Sequence, residues 1–177
     1  MVYMLLADGF EEIEALEPLD ILRRADIDVK TCALLDKTVK GAHGIKVIAD
    51  IRIDEVNLSD MDLLFLPGGM GYKNLDASEK VHALIDYAAE NNIYIASICA
   101  APSIIGKKNL LNGKKATCFP GFGEFLYGAE VVADKVVTDG KFITGKGAGA
   151  AADLGFKIVE ILKGEEIAKD LRGAMQY

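Results

Sequence analysis

The sequence predicts an α/β fold built on a mainly parallel sheet with helices on both faces. Three observations predict it. Short apolar runs, among them Val2–Ala7, Asp62–Leu66 and Ile93–Ile98, have the near-continuous hydrophobicity of strands buried on both sides. Stretches of helical period separate such runs, so strands and helices alternate along the chain. One apolar run ends abruptly at Cys99 and passes through Ala100-Ala101-Pro102 into a short apolar helix. That is the pattern of a strand, a sharp turn and a helix start with a cysteine at the corner.

Taken in order, Val2–Ala7 is the first strand and Asp8-Gly9 turns the chain into a helix over Glu11–Ala25. Asp28–Leu35 is a second strand. Thr38–Lys40 and Ile45–Asp50 flank Gly41 and Gly44 and predict a hairpin on one sheet edge. Asp62–Leu66 is closed by Pro67-Gly68-Gly69. Ser78 is placed to cap a helix reaching Glu90, which Asn91-Asn92 ends. After Ile93–Ile98 and the cysteine corner, Lys115–Cys118, Glu130–Thr138 and Lys141–Thr144 supply further strands, the last two joined by a two-residue turn at Asp139-Gly140. Gly145-Lys-Gly-Ala-Gly149 opens a long helix to Lys163, and a shorter helix follows from Glu165.

With 177 residues, the chain suits one domain over residues 1–177 and a sizeable core. A hydrophobic content of 51% excludes disorder. The net charge of −7, with basic residues scattered, argues against nucleic acid and anionic membranes as partners. No apolar run reaches the roughly 18 residues of a membrane span. Val2–Ala7 is too short for a signal peptide and runs straight into an acidic segment, so a cytoplasmic location is expected. Cys32, Cys99 and Cys118 form no CxxC pair and have no metal-ligand spacing. Free thiols and no metal are therefore expected.

Two residues carry the chemistry. At the corner, Cys99 is lifted out at the carboxyl end of a sheet, where open α/β folds place their sites. N–H groups of a following helix would favour the thiolate and lower its pKa; a buried structural cysteine is the plainer alternative. Glu14 is anomalous for a different reason. On a helical wheel it falls inside the apolar arc of Ala15, Pro18, Leu19, Ile21, Leu22 and Ala25, whereas Glu12, Glu17, Asp20, Arg23 and Arg24 fall away from its centre as solvated residues. Pro18 has no N–H for the Glu14 carbonyl, and an interior proline costs roughly 3 kcal/mol and kinks a helix. Functional sites are where local rules fail together. A carboxyl on an apolar face is desolvated, its pKa rises, and its protonated form can donate a hydrogen bond or pass on a proton.

Three segments, Gly9-Phe-Glu-Glu-Ile-Glu14, Leu66-Pro-Gly-Gly69 and Ala96-Ser-Ile-Cys-Ala-Ala-Pro102, together resemble the DJ-1/ThiJ/PfpI superfamily and its DJ-1-like, ThiJ-type branch. Thr144–Gly149, Asp153–Leu162 and Gly164–Ala168 extend the resemblance to nearly the whole chain. It implies a flavodoxin-like three-layer sandwich, a homodimer and no cofactor. Cys99 matches the family's reactive cysteine and Glu14 the glutamate that hydrogen-bonds it. Gly69 and Ala100 match the backbone N–H groups that hold an oxyanion, with Gly68, Phe119 and Pro120 around the pocket. The implied activities are glutathione-independent glyoxalase or deglycase chemistry on small reactive carbonyls, as a hydro-lyase or hydrolase. The alternative is a redox-sensing or chaperone-like stress protein in which Cys99 oxidises to the sulfinate without turnover.

The departures are as informative. Protease-like branches place a histidine directly after the cysteine, and here that residue is Ala100. Some DJ-1-like members carry a histidine at the position of Phe119. The two histidines of this chain, His43 and His82, lie elsewhere in the sequence. A Cys-His-acid triad and proteolysis are therefore not expected, and acid–base work falls to Glu14 or to water. Cys118, in the same segment as Phe119, is read as a core residue, or as a resolving thiol if it approaches Cys99. Cys32 is read as core. Gly145–Gly149 lacks the ending of a phosphate loop. Tyr72 and Lys73 are candidates for the pocket rim.

Overall fold

The computed structural model describes residues 1–177. The chain runs β1 (Val2–Leu6), α1 (Glu12–Arg24), β2 (Val29–Ala33), β3 (Thr38–Lys40), β4 (Lys46–Ile48), β5 (Ile51–Arg52), β6 (Leu63–Leu66), α2 (Tyr72–Asp76), α3 (Glu79–Glu90), β7 (Tyr94–Ile98) and α4 (Pro102–Lys107). It continues through β8 (Lys115–Ala116), β9 (Glu130–Val131), β10 (Val136–Asp139), β11 (Phe142–Gly145), α5 (Ala151–Lys163) and α6 (Glu165–Ala174). Seven strands form the main sheet in the order β10-β11-β7-β6-β1-β2-β5. All neighbours are parallel except β10 and β11.

Alternation along β1 explains the layers. Val2, Met4 and Leu6 point into one apolar cluster, with Ile21 and Leu22 of α1 and Leu154, Phe156 and Ile158 of α5. Tyr3, Leu5 and Ala7 point into the other, with Val81 and Ile85 of α3 and Ile104 and Ile105 of α4. Each fully buried Val, Leu, Ile, Met or Phe side chain among these contributes about 1.5–3 kcal/mol relative to exposure. Helices α1 and α5 cross closely because α5 has Gly155 at the contact, where a Cβ would lie 3.1 Å from Pro18 Cα and 3.0 Å from Ile21 Cδ1. Pro18 is buried there, and α1 continues through it unbroken.

The structure moves several expected boundaries. The hairpin exists, but β3 and β4 form a ribbon of their own, and the sheet edge is taken by β5, parallel to β2. Lys115–Cys118 contributes only β8, paired with β9 in a two-stranded sheet of its own, and β10 starts at Val136. The β10–β11 loop is Gly140-Lys141, one residue later than expected: Asp139 pairs with Phe142, and Gly140 takes the positive φ of 60° that the turn needs. Helix α2 is an element the sequence reading did not contain. No helix is long and apolar enough to cross a membrane.

Strand order also fixes where a site can form. From β1 the chain moves to β2 on one side, then returns with β6 and β7 on the other. Between β1 and β6 the direction reverses, and a crevice opens at their carboxyl ends. Three segments meet there: Asp8–Glu11 after β1, Pro67–Gly71 after β6, and Cys99 after β7.

Candidate active site

Cys99 sits one residue beyond β7 with φ 65°, the left-handed region that a side chain normally avoids. Neighbours from distant segments hold it there. Its N–H donates to Gly145 O at 2.9 Å, and its carbonyl accepts the Phe119 N–H at 2.8 Å. The next turn is locked by Ala101 N–H to Ile98 O, 3.1 Å, and by Ser103 Oγ to Ala100 O, 2.6 Å. Strained backbone of this kind costs of order 1–3 kcal/mol and persists where the surroundings over-determine it. The N–H groups of Gly69 and Ala100 both face the sulfur.

Glu14 is 1% exposed. Helix α1 puts it there because Glu11 caps the first turn, its Oε2 accepting the Glu14 N–H at 2.8 Å. The carboxyl and the cysteine crowd one point. A Cβ on Gly68 would lie 2.4 Å from Glu14 Oε2 and 2.6 Å from Cys99 Cβ, so only glycine leaves room for the pair. Glu14 Oε2 is buried and has no hydrogen-bond partner in the protein. An orphaned acceptor in that position favours the protonated carboxyl, whose O–H can point at the sulfur.

Burial pushes Glu14 up to about 7, and the nearby Glu11 charge adds to the rise. Cys99 and the Gly68 and Ala148 amides offset part of it without any of them closing a hydrogen bond on Oε2. Cys99 is pushed up to about 12 by burial and by the negative charge of Glu14, against the opposing Gly69 and Ala100 amides. This reverses the lowered thiol pKa expected from the sequence. Helix α4 begins at Pro102, which has no N–H, and spans six residues, so the expected helix dipole is weak. Two acids in contact titrate as a pair. Burial raises both groups and the charge of either raises the other, so the second proton is held more tightly than the first and over an intermediate range the pair carries one negative charge. It rests either on the carboxylate or on a thiolate held by the Glu14 O–H and two amides.

The other expected residues are placed as follows. Phe119 is half-exposed and leans on Gly147, where a Cβ would lie 3.3 Å from its ring and 3.9 Å from Glu14 Oε1. Pro120 is exposed beside it. Neither histidine has its bonded ring nitrogen on Cys99: His43 Nδ1 lies 2.8 Å from Glu12 Oε2, and His82 Nε2 lies 2.7 Å from the Asp76 carbonyl. All three thiols are free, and Cys32 is fully buried. Cys118 is buried in the α3–α4 layer, whereas Cys99 packs against the α1–α5 layer, and both are free thiols. A cavity of about 570 Å³ lies beyond Asp8, between Leu34–Val39 and Asn74–Lys80, and touches neither Cys99 nor Glu14.

Glu12 is the residue the sequence reading misplaced. Read there as solvated, it is 6% exposed and folded onto the β3–β4 loop. Its Oε1 accepts the His43 N–H at 2.8 Å and the Ile45 N–H at 3.4 Å, and Gly41 leaves the space, since a Cβ there would fall 2.2 Å from that oxygen. Burial alone would raise its pKa, but the His43 hydrogen bonds prevail and lower it, and His43 is raised in turn. The signal was present as two glycines flanking a histidine, but the contact joins elements that no single-helix wheel relates.

The model of the DJ-1/PfpI family matches residues 1–161. Protein DJ-1 homolog B of Arabidopsis thaliana is 35% identical over 174 residues, covering 96% of this chain but 40% of that protein, so the chain spans less than half that relative's length. A deglycase of Pyrococcus horikoshii is 31% identical over 147 residues, 82% of this chain and 89% of its own. Among solved structures, a cysteine-to-alanine mutant of a DJ-1 superfamily protein from Salmonella typhimurium matches with a TM-score of 0.94 at 33% identity, covering 99% of this chain and 97% of that one. The expected flavodoxin-like α/β sandwich is thus shared with solved relatives.

Proposed function

The chain belongs to the DJ-1/PfpI family, and on that premise we propose that it is a cysteine-dependent enzyme acting on small reactive carbonyls, of glutathione-independent glyoxalase or deglycase type. One observation carries the reading: a buried glutamate with an unpartnered oxygen crowds a strained cysteine, and no histidine is bonded there. Archaeal relatives named deglycases support the same class.

In the proposed reaction the Cys99 sulfur adds to the aldehyde carbon of methylglyoxal, forming a C–S bond. The Gly69 and Ala100 N–H groups stabilise the oxyanion, and Glu14 protonates it to a hemithioacetal. Glu14, now a carboxylate, removes the proton from the former aldehyde carbon and returns it to the neighbouring carbon through an enediol. The product is a lactoyl thioester, with one carbon oxidised and its neighbour reduced. Water releases lactate and restores the thiol. The test is incubation with methylglyoxal without glutathione, following lactate by NMR. Lactate formation is expected. Its absence, with mild peroxide converting Cys99 to a sulfinate, would favour the redox-sensing reading, in which the same amides and Glu14 O–H hold the oxidised sulfur.

A homodimer is part of the proposal. Ile13 on α1 and Ile45 and Ile48 on the β3–β4 ribbon are 50%, 53% and 79% exposed, and the Glu12 contacts draw these elements together. Apolar side chains grouped in this way mark association surfaces. Light scattering should give twice the chain mass, with Ile48→Asp shifting it to one; a monomeric wild type would refute this part.

A further inference from the structure

We propose that Phe119 is the specificity wall of this site and that it selects 2-oxoaldehydes bearing an aromatic group over methylglyoxal. This rests on the carbonyl reading above. The geometry fixes the ring beside the reacting groups. Its backbone N–H is bonded to the Cys99 carbonyl at 2.8 Å, so the residue is tied to the elbow. The ring and the Glu14 carboxyl flank one glycine, lying 3.3 and 3.9 Å from the point where a Gly147 Cβ would stand. Yet the side chain is 47% exposed, so part of the ring is open to whatever enters.

Its own loop is pinned. Phe122 N–H donates to Phe119 O at 3.1 Å, and the Phe122 ring meets Tyr72 edge-on at 5.4 Å, just after the Gly69–Gly71 segment. The wall has no hydrogen-bonding group, and the bonded ring nitrogens of His43 and His82 are engaged elsewhere. A phenyl substituent gains an aromatic contact against it, whereas a methyl group gains little. The selected group is attached to the ketone carbon and forms no bond to the protein. Its binding is therefore equal in ground and transition states and acts on KM more than on kcat.

Two readouts separate this inference from the reaction assigned above. In the first, the Cys99 sulfur displaces bromide from phenacyl bromide or from bromoacetone, the extent at Cys99 is read by peptide mass spectrometry, and the rates are normalised to free N-acetylcysteine. The wild type should prefer the phenacyl reagent by about three- to tenfold over the free thiol. Each rate is also divided by the iodoacetamide rate at Cys99 of the same variant, and on that scale Phe119→Ala should lose the preference and Phe119→Tyr keep it. Phe119→Leu, which keeps bulk without the ring, should lose the preference as well. In the second, kcat/KM for phenylglyoxal over methylglyoxal should fall by the same factor in Phe119→Ala, through KM. Preference in alkylation with no turnover of either aldehyde would refute the reaction and leave the wall standing. A wild-type preference equal to that of the free thiol, or one untouched by Phe119→Ala, would overturn the inference.

Discussion

Cys99→Ala is expected to reduce carbonyl turnover by at least about 10³-fold, with little change in stability. Of the three free thiols Cys99 is the one not buried, Cys32 and Cys118 both being buried. Alanine keeps the Cβ, so the strain of φ 65° remains in the variant. Cys99→Gly should be equally inactive yet more stable than Cys99→Ala by up to about 1 kcal/mol, because glycine adopts this conformation without penalty. Lactate yield and urea unfolding of the two variants check both claims. Turnover above about a tenth of wild type in Cys99→Ala would remove the cysteine from the mechanism.

For Glu14→Gln the expected loss is about 10²–10⁴-fold in turnover, accompanied by a changed pH profile. In the wild type the active mono-anionic pair forms as pH rises through about 7, so activity should climb across that value. In the variant the thiol titrates alone. Burial still raises it, but the carboxylate no longer does, so its alkylation midpoint should fall below about 12. Stability follows a separate line. A folded pKa raised above the unfolded value of about 4.3 means that burial of neutral Glu14 is fully favourable in acid. That stability is lost as pH rises through about 7. The Glu14 contribution to wild-type stability should therefore fall as pH rises from about 4 to about 7, and Glu14→Gln should lack that component of the pH dependence. A variant that retained the activity limb near 7 would show that another group governs it.

What the sequence discloses here depends on the range of the interaction. Val2–Leu6, Leu63–Leu66 and Tyr94–Ile98 are legible because burial on both faces leaves a nearly continuous apolar run, with Ser97 its one small polar member. Glu14 is legible because one helix shows both its charge and the arc it violates. Glu12 is not, because its partners are the amides of His43 and Ile45, from the β3–β4 loop. The thiol pKa departs from its sequence expectation for a related reason. An elbow followed by a helix suggested helpful dipoles, whereas the helix starts at a proline and the dominant neighbours are a carboxyl and a buried environment. The short strands β5, β8 and β9 are settled by pairing rather than by their two-residue sequences.

The contacts that shape Cys99 come from separated parts of the chain: Gly145 receives its N–H, Phe119 donates to its carbonyl, Gly69 faces its sulfur and Glu14 stands beside it. Contacts of such high sequence separation form late, since their loop entropy must be overcome first. Until β7 is flanked by β6 and β11, Cys99 is an ordinary flexible thiol, open to cross-linking with any other unfinished chain. Slow or incomplete folding of this chain in air-saturated buffer, where dissolved oxygen takes the two electrons of each disulfide, should reveal itself as disulfide-linked aggregates drawn from molecules that never closed the elbow.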